Sequence, residues 1–118
     1  MKLNQIVTSP NASRNLYDIG LRRKCIYGWL YHAVTKKYVI KDFGLGKNLL
    51  RAYTLSELGE IIPHGNFNHD PVMKISTGEW LLKSDPHASK WETEVDARAG
   101  YLYMLIKTGQ LKIEDLNK

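Results

Sequence analysis

The segment TLSELGEIIP, residues 54–63, constrains the fold most strongly because both of its ends carry clear signals. Thr54 and Glu57 match a capping box, in which the hydroxyl accepts the N–H three residues on and the carboxylate accepts the N–H of the cap. Pro63 cannot continue a helix. The segment therefore predicts a helix of about two turns, too short to persist without packing against other elements.

Segments rich in aromatic and β-branched residues surround this helix and predict strands. These segments are residues 24–32, 38–43, 49–53, 72–76 and 79–83. Each of them is short, and the segments 24–32 and 38–43, like 72–76 and 79–83, are joined by short loops, as in antiparallel hairpins.

The loops predict the register of two hairpins. A five-residue loop pairs His32 with Tyr38 in the first hairpin, and a tight turn at Thr77 and Gly78 closes the second. In the second hairpin this places one set of apolar side chains on a common face. That set is Met73, Ile75, Trp80 and Leu82.

Two further helices are predicted from their caps. Ser9 and Pro10 suit a helix start, and Gly20 suits its end. Thr93 begins a longer apolar stripe that ends near Gly109. The order of helix, three strands, helix, two strands and helix predicts an α+β fold, with one antiparallel sheet and helices mainly on one face.

The length of 118 residues predicts a single domain over residues 1–118. A lone cysteine, Cys25, excludes an intrachain disulfide and suits a reducing compartment. No apolar run reaches the length of a signal peptide or a membrane span. We therefore expect a soluble, cytoplasmic protein without membrane contact.

The loop PHGNFNHDP, residues 63–71, is the main candidate for metal chemistry. It contains His64, His69 and Asp70, but no regular element fixes their spacing. Zinc sites need three or four converging ligands. Proline, glycine, asparagine and aspartate are also ordinary turn residues. The interpretation as a connecting loop is favoured, and we expect no metal and no cofactor.

Charge is distributed unevenly along the chain, whose overall net charge is +5. Residues 1–56 have a net charge of +8, and residues 57–118 have a net charge of −3. Aromatic rings surrounded by cations can stack bases and hold phosphates, although helices could instead bury those rings in the core. The candidate binding surface consists of Arg22, Arg23, Lys24, Tyr27, Trp29, Tyr31, Lys36, Lys37 and Lys41.

Two stretches resemble small proteins of bacteriophages, prophages and mobile elements of Bacteroidetes-type bacteria. They are AYTLSELGEIIP and EVDARAGYLYMLIKTGQL, and the resemblance covers roughly the C-terminal two thirds of the chain. The matching residues are Thr54, Leu55, Leu58, Ile62, Pro63, Trp80, Asp96, Ala97, Ala99, Leu102, Leu105 and Gly109. The resemblance implies an α+β fold and a phage context, and it carries no activity or functional residue.

Three hypotheses follow for the function. The first is a non-enzymatic accessory protein that acts through protein–protein contacts or self-association. The second is a nucleic-acid-binding protein that uses the basic amino-terminal half. The third is a metal-dependent hydrolase that uses the loop 63–71.

Overall fold

A computed structural model describes residues 6–45, 49–62, 72–82 and 85–117 of the protein. The loop 63–71 and its candidate metal ligands lie outside these ranges. In chain order, the elements are α1 (Pro10–Asp18), β1 (Tyr27–His32), β2 (Lys37–Asp42), a 3-10 turn (Phe43–Leu45), β3 (Leu50–Ala52), α2 (Leu55–Ile61), β4 (Val72–Lys74), β5 (Trp80–Leu82), β6 (Asp85–Trp91), α3 (Glu94–Lys107) and α4 (Ile113–Leu116).

The strands form two antiparallel sheets of three strands each, in the orders β2-β1-β3 and β4-β5-β6. The α+β class is therefore confirmed, whereas the expectation of one sheet was wrong. Strand β6 and helix α4 were not predicted. The segment of β6 contains Pro86 and polar residues, which disfavour strands except at a sheet edge, and β6 is an edge strand.

The predicted helix caps are confirmed, apart from the end at Pro63, which lies outside the described residues. Thr54 and Glu57 form the capping box of α2, and Thr93 caps α3. At the other end of α3, Gly109 adopts a φ of 82°, the left-handed conformation that favours glycine. In the described ranges, no helix is long and apolar enough to cross a bilayer.

The first hairpin differs from prediction by one residue. Tyr31 pairs with Tyr38 and His32 with Lys37, so the loop has four residues. Lys36 closes this loop with a φ of 55°. Because a left-handed residue turns the chain sharply, Lys37 can join the strand. A shift of one residue exchanges the face of every side chain on β2 relative to β1.

The second hairpin also differs by one residue. The carbonyl of Ile75 accepts a hydrogen bond from the N–H of Gly78, and the N–H of Ile75 donates to the carbonyl of Glu79. Gly78 has a φ of 91°, as expected for a three-residue loop that ends in a left-handed glycine. Val72 therefore pairs with Leu82, the residue predicted to share a face with Met73, and Met73 lies opposite Leu81.

Helix α3 lies at the centre of the packing and contacts α1, α2 and all three strands of the second sheet. Val95, Ala99 and Leu102 of α3 are buried in the largest apolar cluster. Ala97, on another side of α3, packs against Val72 and other residues of the second sheet. The other large side chains of the main cluster are Leu16, Leu21, Tyr53, Leu58, Ile61 and Ile62.

A buried polar network joins the first sheet to α1. The indole N–H of Trp29 donates to the carbonyl of Thr8 at 2.8 Å. The Thr8 hydroxyl accepts from the N–H of Tyr53 at 3.0 Å and lies 2.7 Å from the Ser13 hydroxyl. Buried polar groups need such partners, so this network holds one face of the sheet against α1.

Candidate functional site

The register of the first sheet separates its aromatic side chains from its cations. Residues paired across antiparallel strands share a face, and neighbours along a strand alternate between faces. One face, which we call the tyrosine face, carries most of the aromatic side chains. Its members are Tyr27, Trp29, Tyr31, Tyr38, Ile40, Asp42, Leu50 and Ala52.

The opposite face, which we call the basic face, carries the cations of the three strands. Its members are Gly28, Leu30, His32, Lys37, Val39, Lys41 and Arg51. Lys37 and Lys41 are exposed. They lie four residues apart on β2, which corresponds to about 13 Å along a strand. Asp42 lies on the tyrosine face, so these three strands place no carboxylate on the basic face.

Gly28 lies between two cations on the basic face, because Lys41 and Arg51 are its partners on the two neighbouring strands. A Cβ atom at Gly28 would lie 2.9 Å from Leu49 Cβ and 3.0 Å from Phe43 Cδ2. These side chains therefore require the glycine. The Arg51 guanidinium carbon lies 4.8 Å from the centroid of the Phe43 ring, a cation–π contact that holds the cation at this face.

Arg51 retains unused hydrogen-bonding capacity. Its Nε atom is buried and has no hydrogen-bond partner among the residues that the structure describes. An unpaired donor of this kind is costly, and its guanidinium still has N–H groups that suit an anion.

The first hairpin extends beyond β3 as a two-stranded ribbon. Strand β3 pairs with β1 from Tyr27 to Trp29, whereas the β1–β2 pairing continues to His32 and Lys37. The three paired positions beyond β3 span about 10 Å before the loop. The loop residues 33–36 are exposed, and Val34 is 92% exposed.

The three aromatic candidates differ in environment. Trp29 is 6% exposed and donates its N–H within the buried network, so its ring belongs to the core. Tyr27 is half-buried and packs against the apolar cluster that contains Trp29. Tyr31 is 52% exposed, and its ring centroid lies 5.1 Å from that of Tyr38. Sequence reasoning omitted Tyr38, whose place beside Tyr31 depends on the loop length.

The two arginine candidates before β1 contact residues of the helices. The Arg22 guanidinium stacks 3.6 Å from the centre of the Tyr17 ring and donates to its carbonyl. Arg23 donates to the carbonyl of Leu116 and makes an ion pair with Glu60. Lys24 is exposed.

Lys36, Lys37 and Lys41 remain together on the hairpin, and Arg51 joins them. Sequence reasoning missed Arg51 because its face follows from the pairing of β3 with β1. His32 was missed for a similar reason, since the predicted loop paired it with Tyr38 instead of Lys37.

Cys25 has no features of a reactive thiol. Burial raises its pKa to about 11, and the nearby carboxylate of Glu57 acts in the same direction. The nucleophilic thiolate is therefore disfavoured at neutral pH. Within the described ranges, no group of three or more histidine, cysteine, aspartate or glutamate side chains could hold a metal ion.

The chain matches no protein-family model, and no curated protein and no solved structure is significantly similar to it. The resemblance to phage and mobile-element proteins therefore stays a prediction.

Proposed function

We propose that the protein is a non-enzymatic DNA-binding protein that contacts the phosphates of a duplex through its basic face and hairpin loop. One observation carries the proposal: the strand register collects Lys37, Lys41 and Arg51 on a face to which the three strands contribute no carboxylate. Lys36 adjoins them in the loop. Clusters of this kind bind phosphate backbones by releasing counterions.

The ribbon favours a DNA duplex over other nucleic acids. The major groove of B-form DNA admits a two-stranded ribbon and is about 8.5 Å deep, similar to the estimated 10 Å reach of this hairpin. The major groove of duplex RNA is too narrow for such entry. Single-strand binding usually needs rings for base stacking, and the exposed Tyr31 and Tyr38 lie on the opposite face.

Paired substitutions test the proposal. Lys37→Gln/Lys41→Gln removes two cations from the basic face, and Lys74→Gln/Lys112→Gln removes two exposed cations elsewhere. Fluorescence anisotropy with a labelled duplex of about 20 base pairs measures binding. We expect the first pair to weaken binding by roughly 60-fold at about 0.1 M salt, the counterion-release value for two contacts.

We expect the control pair to bind nearly as the unmodified protein does. Equal losses in the two pairs would indicate a response to net charge alone and would contradict the proposal. Undetectable binding of the unmodified protein at low salt would also contradict it, as would tighter binding to single strands than to the duplex.

A protein partner is the second candidate, supported by the exposed apolar tip of the same hairpin. Val34, Tyr31 and Tyr38 are 92%, 52% and 38% exposed, respectively. Light scattering tests for self-association through this tip. A dimer that Tyr31→Ser/Tyr38→Ser dissociates, while Met73→Ser does not, would support it. A monomer at all concentrations would count against self-association.

A further inference from the structure

A cleft of about 770 Å³ lies where α1, α3 and the end of β6 meet, away from the basic face. Its volume falls in the range of roughly 300–1,000 Å³ that is typical of small-molecule sites. Both apolar and polar groups line it. Its lining residues include Asn11, Asn15, Trp91, Gly100, Tyr103 and Met104.

Trp91 is held in the cleft by its contact with Gly100. A Cβ atom at Gly100 would lie 2.5 Å from Trp91 Cζ2, so the indole ring packs directly against the backbone of α3. Glycine inside a helix costs about 1 kcal/mol relative to alanine. At Gly100, the absence of a side chain leaves room for the indole ring of Trp91 beside the cleft. Tyr103, one helical turn further along α3, adds a second half-buried ring to the lining.

Helix α1 contributes two amides. Asn11 and Asn15 are four residues apart and therefore lie on one side of the helix. Both are exposed, and their amides make no hydrogen bond within the described part of the chain. Each amide offers donors and an acceptor close together, which suits a ligand whose edge carries both.

Charged side chains of both signs line the cleft. Lys90 and Glu92 are exposed lining residues of opposite sign. The carboxylate of Asp96 accepts from the N–H of Ser9 at 2.7 Å and thereby joins the starts of α1 and α3. The Lys107 ammonium lies 5.6 Å from the centroid of the Tyr103 ring. Two carboxylates and two ammonium groups therefore balance around the cleft, which does not select an anionic ligand.

We infer that this cleft binds an uncharged nucleoside, with the base against Trp91 and Tyr103 and its edge at Asn11 and Asn15. Aromatic side chains stack on bases, and asparagine amides pair with the N6 and N7 edge of adenine. Adenosine is therefore the nucleoside that we expect the cleft to bind. The site is distinct from the proposed DNA interface, because the two have no residue in common.

Titration of the isotopically labelled protein with adenosine, followed by backbone and indole NMR shifts, tests the inference. We expect shifts at the cleft residues, including the Trp91 indole. Asn15→Leu removes one amide and should weaken binding by about tenfold, the usual loss for a hydrogen-bonding partner. Arg14→Leu, exposed on the same helix and outside the cleft lining, should bind as the unmodified protein does.

Ribose and adenosine monophosphate are the comparison ligands. Ribose should cause no comparable shifts, and the monophosphate should bind no more tightly than adenosine. The inference is overturned if saturating adenosine moves no cleft resonance or if ribose reproduces the shifts. It is equally overturned if Asn15→Leu binds unchanged, or if the monophosphate binds more tightly.

Discussion

Two glycines inside helices should respond in opposite ways to substitution by alanine. Gly59 lies in α2, and a Cβ atom there would meet nothing within 4 Å outside its own helix in the described part of the chain. Gly100 lies in α3 against the ring of Trp91. In both places alanine gains about 1 kcal/mol from helix propensity and reduced freedom of the unfolded chain. The surroundings therefore decide the sign of the change.

The contact at Gly100 determines the expected loss. The added Cβ would lie 2.5 Å from Trp91 Cζ2 and 3.0 Å from Cε2, so the ring must retreat by about 0.9 Å to reach an ordinary contact of 3.4 Å. Overpacking of this kind typically costs 1–3 kcal/mol. Gly100→Ala should thus lower the free energy of unfolding by up to about 2 kcal/mol, whereas Gly59→Ala should raise it by up to about 1 kcal/mol.

Urea unfolding of the two variants measures this difference. Free energies extrapolated to water are comparable if the dependence on urea concentration stays unchanged. If Gly100→Ala stabilises the protein as much as Gly59→Ala does, Trp91 does not rest on α3 and the argument is refuted. If Gly59→Ala instead destabilised the protein, the added methyl group would be meeting atoms that the structure does not place near Gly59.

Other predictions concern the junction of α2 with β1. Glu57 accepts from the N–H groups of both Thr54 and Ile26, so Glu57→Ala should cost about 1–2 kcal/mol in urea unfolding. Glu60→Ala, which removes a largely exposed carboxylate from its ion pair with Arg23, should change stability by under about 0.5 kcal/mol. Burial raises the pKa of Cys25 from 9.0 to about 11. Because the unfolded thiol ionises first, its contribution to stability should be complete below pH 9 and lost as pH rises to about 11. Cys25→Ala should flatten that loss, and an unchanged pH profile would argue against it.

Helix ends were predictable from the sequence because their signals are local. The hydroxyl of Thr54 and the carboxylate of Glu57 act within four residues of one another. Gly20 and Gly109 end α1 and α3 for an equally local reason, since both adopt positive φ angles.

Strand registers were less predictable because one loop residue changes them. In the first hairpin, Lys36 adopts a left-handed conformation that is unusual for lysine and shortens the loop. In the second hairpin, the left-handed Gly78 ends a loop of three residues, although the same sequence also allows a turn of two residues. The local sequence permits both loop lengths, and packing of the strand faces selects between them.

The candidate site depended on these registers. With the predicted pairing, Lys41 would lie opposite Trp29 and share the face of the aromatic row. The observed pairing places Lys41 opposite Gly28, on the other face. Lys36, Lys37 and Lys41 were thus predicted from the sequence, but the addition of Arg51 and the separation of these cations from the tyrosines depended on the strand pairing.

The salt dependence of DNA binding tests the central claim most directly. Four cations, Lys36, Lys37, Lys41 and Arg51, predict that the logarithm of the binding constant falls with the logarithm of salt concentration at a slope of about −3.6. Lys37→Gln/Lys41→Gln should reduce this slope to about −1.8, and Lys74→Gln/Lys112→Gln should leave it unchanged. A slope that is the same in all three proteins would show that the basic face does not contact the phosphates.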